Sequence, residues 1–220
     1  MLLALEKINV LEGQTLVIND VDWKQFEQIL EELGEKRNSR IAYHHHTLEI
    51  MTPSLEYERD KVLISTLLEI ILEELDIDFW CLGSTTFKSE ILQKGLEPDN
   101  CFYIQNEAKI RGKKRIDLTI DPPPDLALEV DLTSRTYPHI YSALGVPELW
   151  RFEKGNLQIN VLKNAQYIEV ESSPIFPNIP LKNLIPEFLN QCKTQGRNKT
   201  VRAFRTLIKD YIIHNGKTII

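Results

Sequence analysis

The chain has little of what would commit it to a membrane, an oxidised compartment or a nucleic-acid coat. No stretch approaches the ~18 to 20 uninterrupted apolar residues that span a bilayer, so no membrane contact is expected. The opening MLLALEKINV is apolar for five residues before Glu6 and Lys7 interrupt it, and no small-residue cleavage site follows. It does not read as a signal peptide. Cysteine is scarce: Cys81, Cys101 and Cys192 are odd in number and widely spaced, which excludes a disulfide framework or zinc knuckle and points to a reducing cytoplasm. Positive charge is also in deficit, with a formal net charge of -6, so generic affinity for DNA is not expected. From Gln191 onward, however, seven Lys and Arg residues face Asp210 alone. Any nucleic-acid contact must therefore be local. Internal repeats and low-complexity tracts are missing, and so is a helix-turn-helix with a basic recognition helix.

What remains is an ordinary folded composition, 42% hydrophobic and 26% charged, in 220 residues, enough for one compact domain with a small appendage. Asp22, with Gln25 three residues on, starts a short helix to Leu33, and Gly34 stops it. RIAYHHHTLEIM reads as a hairpin leading into a Thr52-Pro53-Ser54 corner. Ser54 caps a helix whose Ile64, Leu67, Leu68, Ile71, Leu72 and Leu75 recur at helical spacing. Strand-like runs follow at DFWCLGSTTF, CFYI, RIDLTI, DLALEVDL, ELWRF, LQINVL and YIEVE. A short helix fits between Thr136 and Leu144. SSPIFPNIPLKNLIP, with four prolines, reads as a loop passage to a C-terminal helix over 199–213, whose Arg202, Arg205 and Lys209 form either a solvated face or a phosphate contact. Strands bracketed by helices predict an α/β or α+β sheet.

Within PPPDLALEVDLTS, residues 122–134, the period of two puts Leu126, Leu128, Val130 and Leu132 on one side of a strand and Asp125, Ala127, Glu129 and Asp131 on the other. A further acid, Asp99, stands after Pro98 at the entrance to another strand. Carboxylates gathered on neighbouring strands repel one another unless a cation, a proton or a basic side chain intervenes. Hard oxygen ligands without His or Cys suit magnesium or manganese.

GLEPDNCFYI, then DLALEVDLTS about thirty residues on, then YSALGVPELWRF, resembles the Uma2 family (DUF820) of restriction-endonuclease-like proteins, part of the PD-(D/E)XK nuclease superfamily. The resemblance runs from about Ile41 to Phe176 and includes LEIMTPS, LGSTTFKSE and RGKKRIDLTIDPPPD. It implies an αβββαβ core with a central mixed β-sheet flanked by helices. It also implies that residues 41–190 form the nuclease-like domain, with 1–40 an N-terminal helical extension and 191–220 a basic C-terminal helix packed on it. Pro98 and Asp99 stand for the PD element and Glu129 for the (D/E) position. Asp99, Glu129 and the Val130 carbonyl would hold Mg2+ or Mn2+. Glu58 resembles an additional helical acid, with Glu56 its competitor.

Where the pattern has lysine, this chain has Asp131, and the nearest basic residue is Arg135, a contact for phosphate rather than a general base. Lys61 or His139 are substitutes. The resemblance thus implies a catalytic set of Glu58, Asp99, Glu129, Asp131 and Arg135 in a metal-dependent endonuclease acting on DNA, expected as a homodimer. The alternative is a nuclease-fold protein that binds nucleic acid or a protein partner without cutting. Bland readings stand beside these. Asp125 fixes a strand entrance, Glu129 could be salt-bridged to Lys88, Lys113 or Arg135, His44 to His46 form a plain turn or surface strand, Lys113 to Arg115 form a solvated loop, and Trp150 and Tyr141 are core.

Overall fold

A computed structural model of the chain describes residues 8–34, 37–130 and 138–215. Helix α1 (Trp23–Leu33) begins where the sequence places it: the Asp22 carboxylate accepts from the Gln25 N–H at 2.8 Å, and the Gln25 side chain accepts from the Asp22 N–H at 2.8 Å. Strands β2 (Arg40–His44) and β3 (Thr47–Met51) form the expected hairpin. Its turn residues His45 and His46 both have positive φ, the hand that matches two twisted antiparallel strands. With β1 (Thr15–Ile18), β5 (Phe87–Ser89) and β6 (Lys94–Leu96) they make an antiparallel sheet ordered β1-β3-β2-β6-β5. Phe26 of α1 seals it, stacking on Tyr43. Gly95 leaves room for that ring, since a Cβ there would lie 2.9 Å from the Phe26 Cζ.

The second sheet carries the acids. It comprises β4 (Trp80–Cys81), β7 (Asn100–Tyr103), β8 (Leu126–Val130), β9 (Glu148–Glu153), β10 (Asn156–Lys163) and β11 (Gln166–Val170), ordered β11-β10-β9-β8-β7-β4. It is mixed: β8 and β9 run parallel, whereas β7 is antiparallel to β8 and β10 to β9. Parallel neighbours need a crossover, and helix α4 (Pro138–Leu144) lies on it. Helix α2 (Leu55–Leu75), capped by Ser54, packs with α5 (Leu181–Gln195) and α6 (Arg197–Asn215) on one face of this sheet. Leu126, Leu128, Val130, Trp150, Phe152 and Ile159 meet them there. On the opposite face Ala127 and Leu149 pack with Leu96 of the first sheet and with Ile140 and Tyr141 of α4. Among the described residues no helix is long and apolar enough to cross a membrane.

Three readings of the sequence need correction. RIDLTI, apolar at alternate positions, is not a strand: it coils beside helix α3 (Glu107–Ile110) because Asp117 caps a local turn through Thr119, while Asp121 receives the Asp117 N–H and Lys113. The proline-rich passage ends earlier than its composition suggests. Helix α5 starts at Leu181 and continues through Pro186, which sits only six residues into it. The basic face of α6 is not open for phosphate throughout, because Arg205 pairs with Glu73 and Glu74 of α2 at 2.8 and 2.6 Å.

Candidate active site

Asp99 enters β7 at the edge of the α4-side face and Glu129 lies on β8 beside it. Asp99 is 1% exposed, and its Oδ2 accepts from the Val130 N–H at 2.7 Å. Asp99 and Glu129 are near enough to act on each other's protonation, and a buried acid pair of this kind resists full ionisation. Tyr141 of α4 donates its hydroxyl to Glu129 Oε1. Burial and then the charge of Glu129 hold Asp99 well above the usual carboxylate range, against the Val130 N–H and the Arg40 charge. Burial likewise pushes Glu129 up to about 7, offset by the hydrogen bonds from Tyr141 and Asp99 and by the charges of Arg151 and Arg40. The pair therefore retains a proton near neutrality, a property of the two carboxyls together rather than of either one.

Two arginines frame the acids. Arg151 of β9 lies directly opposite Glu129 in the parallel register. Arg40, at the start of β2, brings the first sheet to the site: its field reaches both acids, and its Nη2 bonds Glu58 Oε1 at 3.0 Å. Lys61, one turn along α2, holds the other Glu58 oxygen at 2.5 Å. The Nε atoms of Arg40 and Arg151 are buried with no hydrogen-bond partner. Positive groups thus surround the acids without being consumed by them.

Of the expected residues, Asp99, Glu129 and Val130 come together, and Glu58 joins through Arg40. Glu56 turns instead to Arg59 at 2.8 Å. Asp131 and Arg135 lie outside the described residues. Asp125 is structural, its carboxylate accepting from the N–H groups of Ile104 and Asn106 at 2.7 and 3.0 Å. The salt bridges considered for Glu129 are otherwise engaged, Lys88 with Glu27 and Lys113 with Asp121. Of the substitute bases, Lys61 is tied to Glu58, and the His139 ring packs 4.1 Å from His44. Tyr141 is buried, as a core residue should be, but its hydroxyl belongs to the site. Sequence reasoning missed Arg40 and Arg151. The signal for Arg151 was present, a lone basic residue inside the apolar run of ELWRF.

The donor set can be tested against a divalent ion. Among the described residues no three His, Cys, Asp or Glu side chains gather into a metal-holding group. Magnesium keeps several waters and needs only one or two protein carboxylates beside a substrate phosphate, so Asp99 and Glu129 with the neighbouring Val130 carbonyl fit it. A zinc cage, which wants four protein ligands of N or S character, they do not fit.

No curated protein matches the chain significantly. Among solved structures it is similar to a protein of Anabaena variabilis described as "a putative nuclease belonging to DUF820", at 11% identity and a TM-score of 0.47, covering 84% of this chain and 99% of that one. Residues 23–191 match the family Uma2, described as "Putative restriction endonuclease". The chain belongs to the Uma2 family.

Proposed function

We propose that the protein is a metal-dependent endonuclease that hydrolyses phosphodiester bonds in DNA, with Mg2+ or Mn2+ held by Asp99, Glu129 and the Val130 carbonyl. The observation that carries this reading is the meeting of two carboxyls, Asp99 wholly buried on the Val130 N–H and Glu129 beside it under the Tyr141 hydroxyl, each raised in pKa by burial, a setting that a cation relieves. When bound there, the ion supplies a water of lowered pKa and charge to oppose that building on the phosphate. The protein does the positioning. The Val130 N–H fixes the rotation of Asp99, and Tyr141 holds Glu129 against it. Arg40 and Arg151 offer delocalised positive charge on either side, suited to phosphate oxygens and too basic to take a proton. Cutting both strands of a duplex calls for two such centres, which a homodimer supplies.

The test is cleavage of plasmid and short duplex DNA by the purified chain in Mg2+ or Mn2+. Wild type is expected to cut and Glu129→Ala to lose cutting while keeping its circular dichroism spectrum. A wild type inert across metals and nucleic acids would sink the reading. It would instead favour a nuclease-fold binder that does not cut. One observation leans that way: among the described residues Lys61, the lysine near the site, is ion-paired with Glu58 rather than with Asp99 or Glu129.

A further inference from the structure

The face of the central sheet that bears Glu129 continues away from the acids into a cavity of about 310 Å³. Glu129 lies opposite Arg151, and Leu149, two residues before it, lies opposite Asn160 of β10. Arg151, Leu149 and Asn160 line the floor, Pro138 of α4 one side, and Gln166 and Tyr167 of β11 the other.

The walls are held in place before any ligand arrives. The Tyr167 hydroxyl donates to the Val146 carbonyl at 2.7 Å, which fixes its ring. Asn160 Nδ2 donates to the Leu149 carbonyl at 3.2 Å, and its Oδ1 accepts from none of the described residues. Asn164 and Ala165 take left-handed conformations in the turn between β10 and β11, which sets Gln166 at the rim. Arg151 joins the cavity to the acids. Among the described residues it forms no ion pair within 4 Å, and its buried Nε has no partner. A preformed cavity with a free guanidinium at one end, the Asn160 carboxamide on its floor and a ring and a proline beside it suits a phosphate joined to a flat heterocycle with a donor and acceptor edge. Its volume is at the small end of ligand sites, enough for one such unit and too small for a base pair.

We propose that this cavity is a nucleotide subsite. It seats one unpaired nucleotide next to the bond presented to Asp99 and Glu129, with the phosphate on Arg151 and the edge of the base on Asn160. Its place beside the scissile bond rests on the nuclease reading; the affinity for a nucleotide does not.

The experiment titrates the four 2′-deoxynucleoside 5′-monophosphates into the full chain in EDTA, with 2-deoxyribose 5-phosphate and inorganic phosphate alongside. At least one mononucleotide is expected to bind about tenfold more tightly than the base-free sugar phosphate. Asn160→Leu and Asn160→Thr should each weaken that binding about five- to tenfold, leave the sugar phosphate unaffected and retain the unfolding temperature. Threonine favours strand backbone, so Asn160→Thr reports on binding even if Asn160→Leu misfolds. Equal binding with and without a base, no saturable binding, or binding indifferent to the folded Asn160 variant overturns the subsite. Base-dependent binding in a protein that cuts nothing keeps the subsite and overturns the nuclease reading. Cutting without base-dependent binding does the reverse.

Discussion

The two faces of the central sheet are made from the same strands and do opposite things. Toward α2, α5 and α6, β8 and β9 present Leu126, Leu128, Val130, Trp150 and Phe152, a dry core in which each side chain stabilises the fold by leaving water. Toward α4, the alternate residues are Ala127, Glu129, Leu149 and Arg151. Here a buried carboxyl, its partly buried neighbour and two arginines with unmatched Nε atoms cost stability. One strand thus separates packing from chemistry by the period of its own side chains. Mutations on the two faces should therefore differ in kind as well as in size.

The largest effect belongs to the acid face and falls on activity. Asp99→Asn preserves an acceptor for the Val130 N–H, so the fold should survive, while cleavage falls by about a thousandfold or more, ~4 kcal/mol of lost barrier lowering. Cleavage near the wild-type rate would separate Asp99 from the chemistry. Next, on the apolar face, Leu128→Ala should lower unfolding stability by about 2 to 5 kcal/mol in a denaturant titration. If that loss were under about 1 kcal/mol, the contrast between the faces would be broken.

Smaller and of opposite sign is Glu129→Gln in the metal-free protein. A carboxyl raised from its ordinary value to about 7 by burial contributes most to stability below about pH 4.5, and that contribution is lost as pH rises through 7. The variant escapes this loss. It should match wild type near pH 4.5 and exceed it by about 1 to 3 kcal/mol at pH 8. His44, lowered to about 4 by burial and the nearby charges of His139, His45 and Lys94, adds the opposite slope in both proteins, so the comparison is made at each pH. A constant difference between the curves would show that Glu129 is not raised. The smallest effect is remote from both faces. Arg205→Ala removes a half-exposed bridge between α6 and α2 and should cost less than about 1 kcal/mol in thermal unfolding, with cleavage unchanged.

Much of this arrangement is legible in the sequence, for reasons that can be named. The helix from Ser54 and the hairpin through His45 are written in local signals, a cap and a turn, and the alternation in DLALEVDL assigns its residues to two faces. Asp99 and Glu129 could be paired because the spacing of GLEPDNCFYI and DLALEVDLTS resembles a known pattern. Arg40 and Arg151 could not be placed beside the acids, because their positions follow from long-range strand order. Arg151 reaches Glu129 only through the parallel pairing of β8 and β9. Arg40 reaches it from the other sheet. RIDLTI misled for the converse reason: its alternation is real, but Asp117 and Asp121 bend the backbone into local turns that outcompete a ladder.

The acid pair works as proposed only if Asp99 and Glu129 together hold a proton that a divalent cation displaces. Calorimetric titration of Mn2+ into the metal-free chain at about pH 6.5, repeated in buffers of different ionisation enthalpy, reads binding and proton release together. Saturable binding with release of up to about one proton is expected, and loss of both in Glu129→Gln. Binding of equal strength in that variant, or no binding by the wild type, would contradict it.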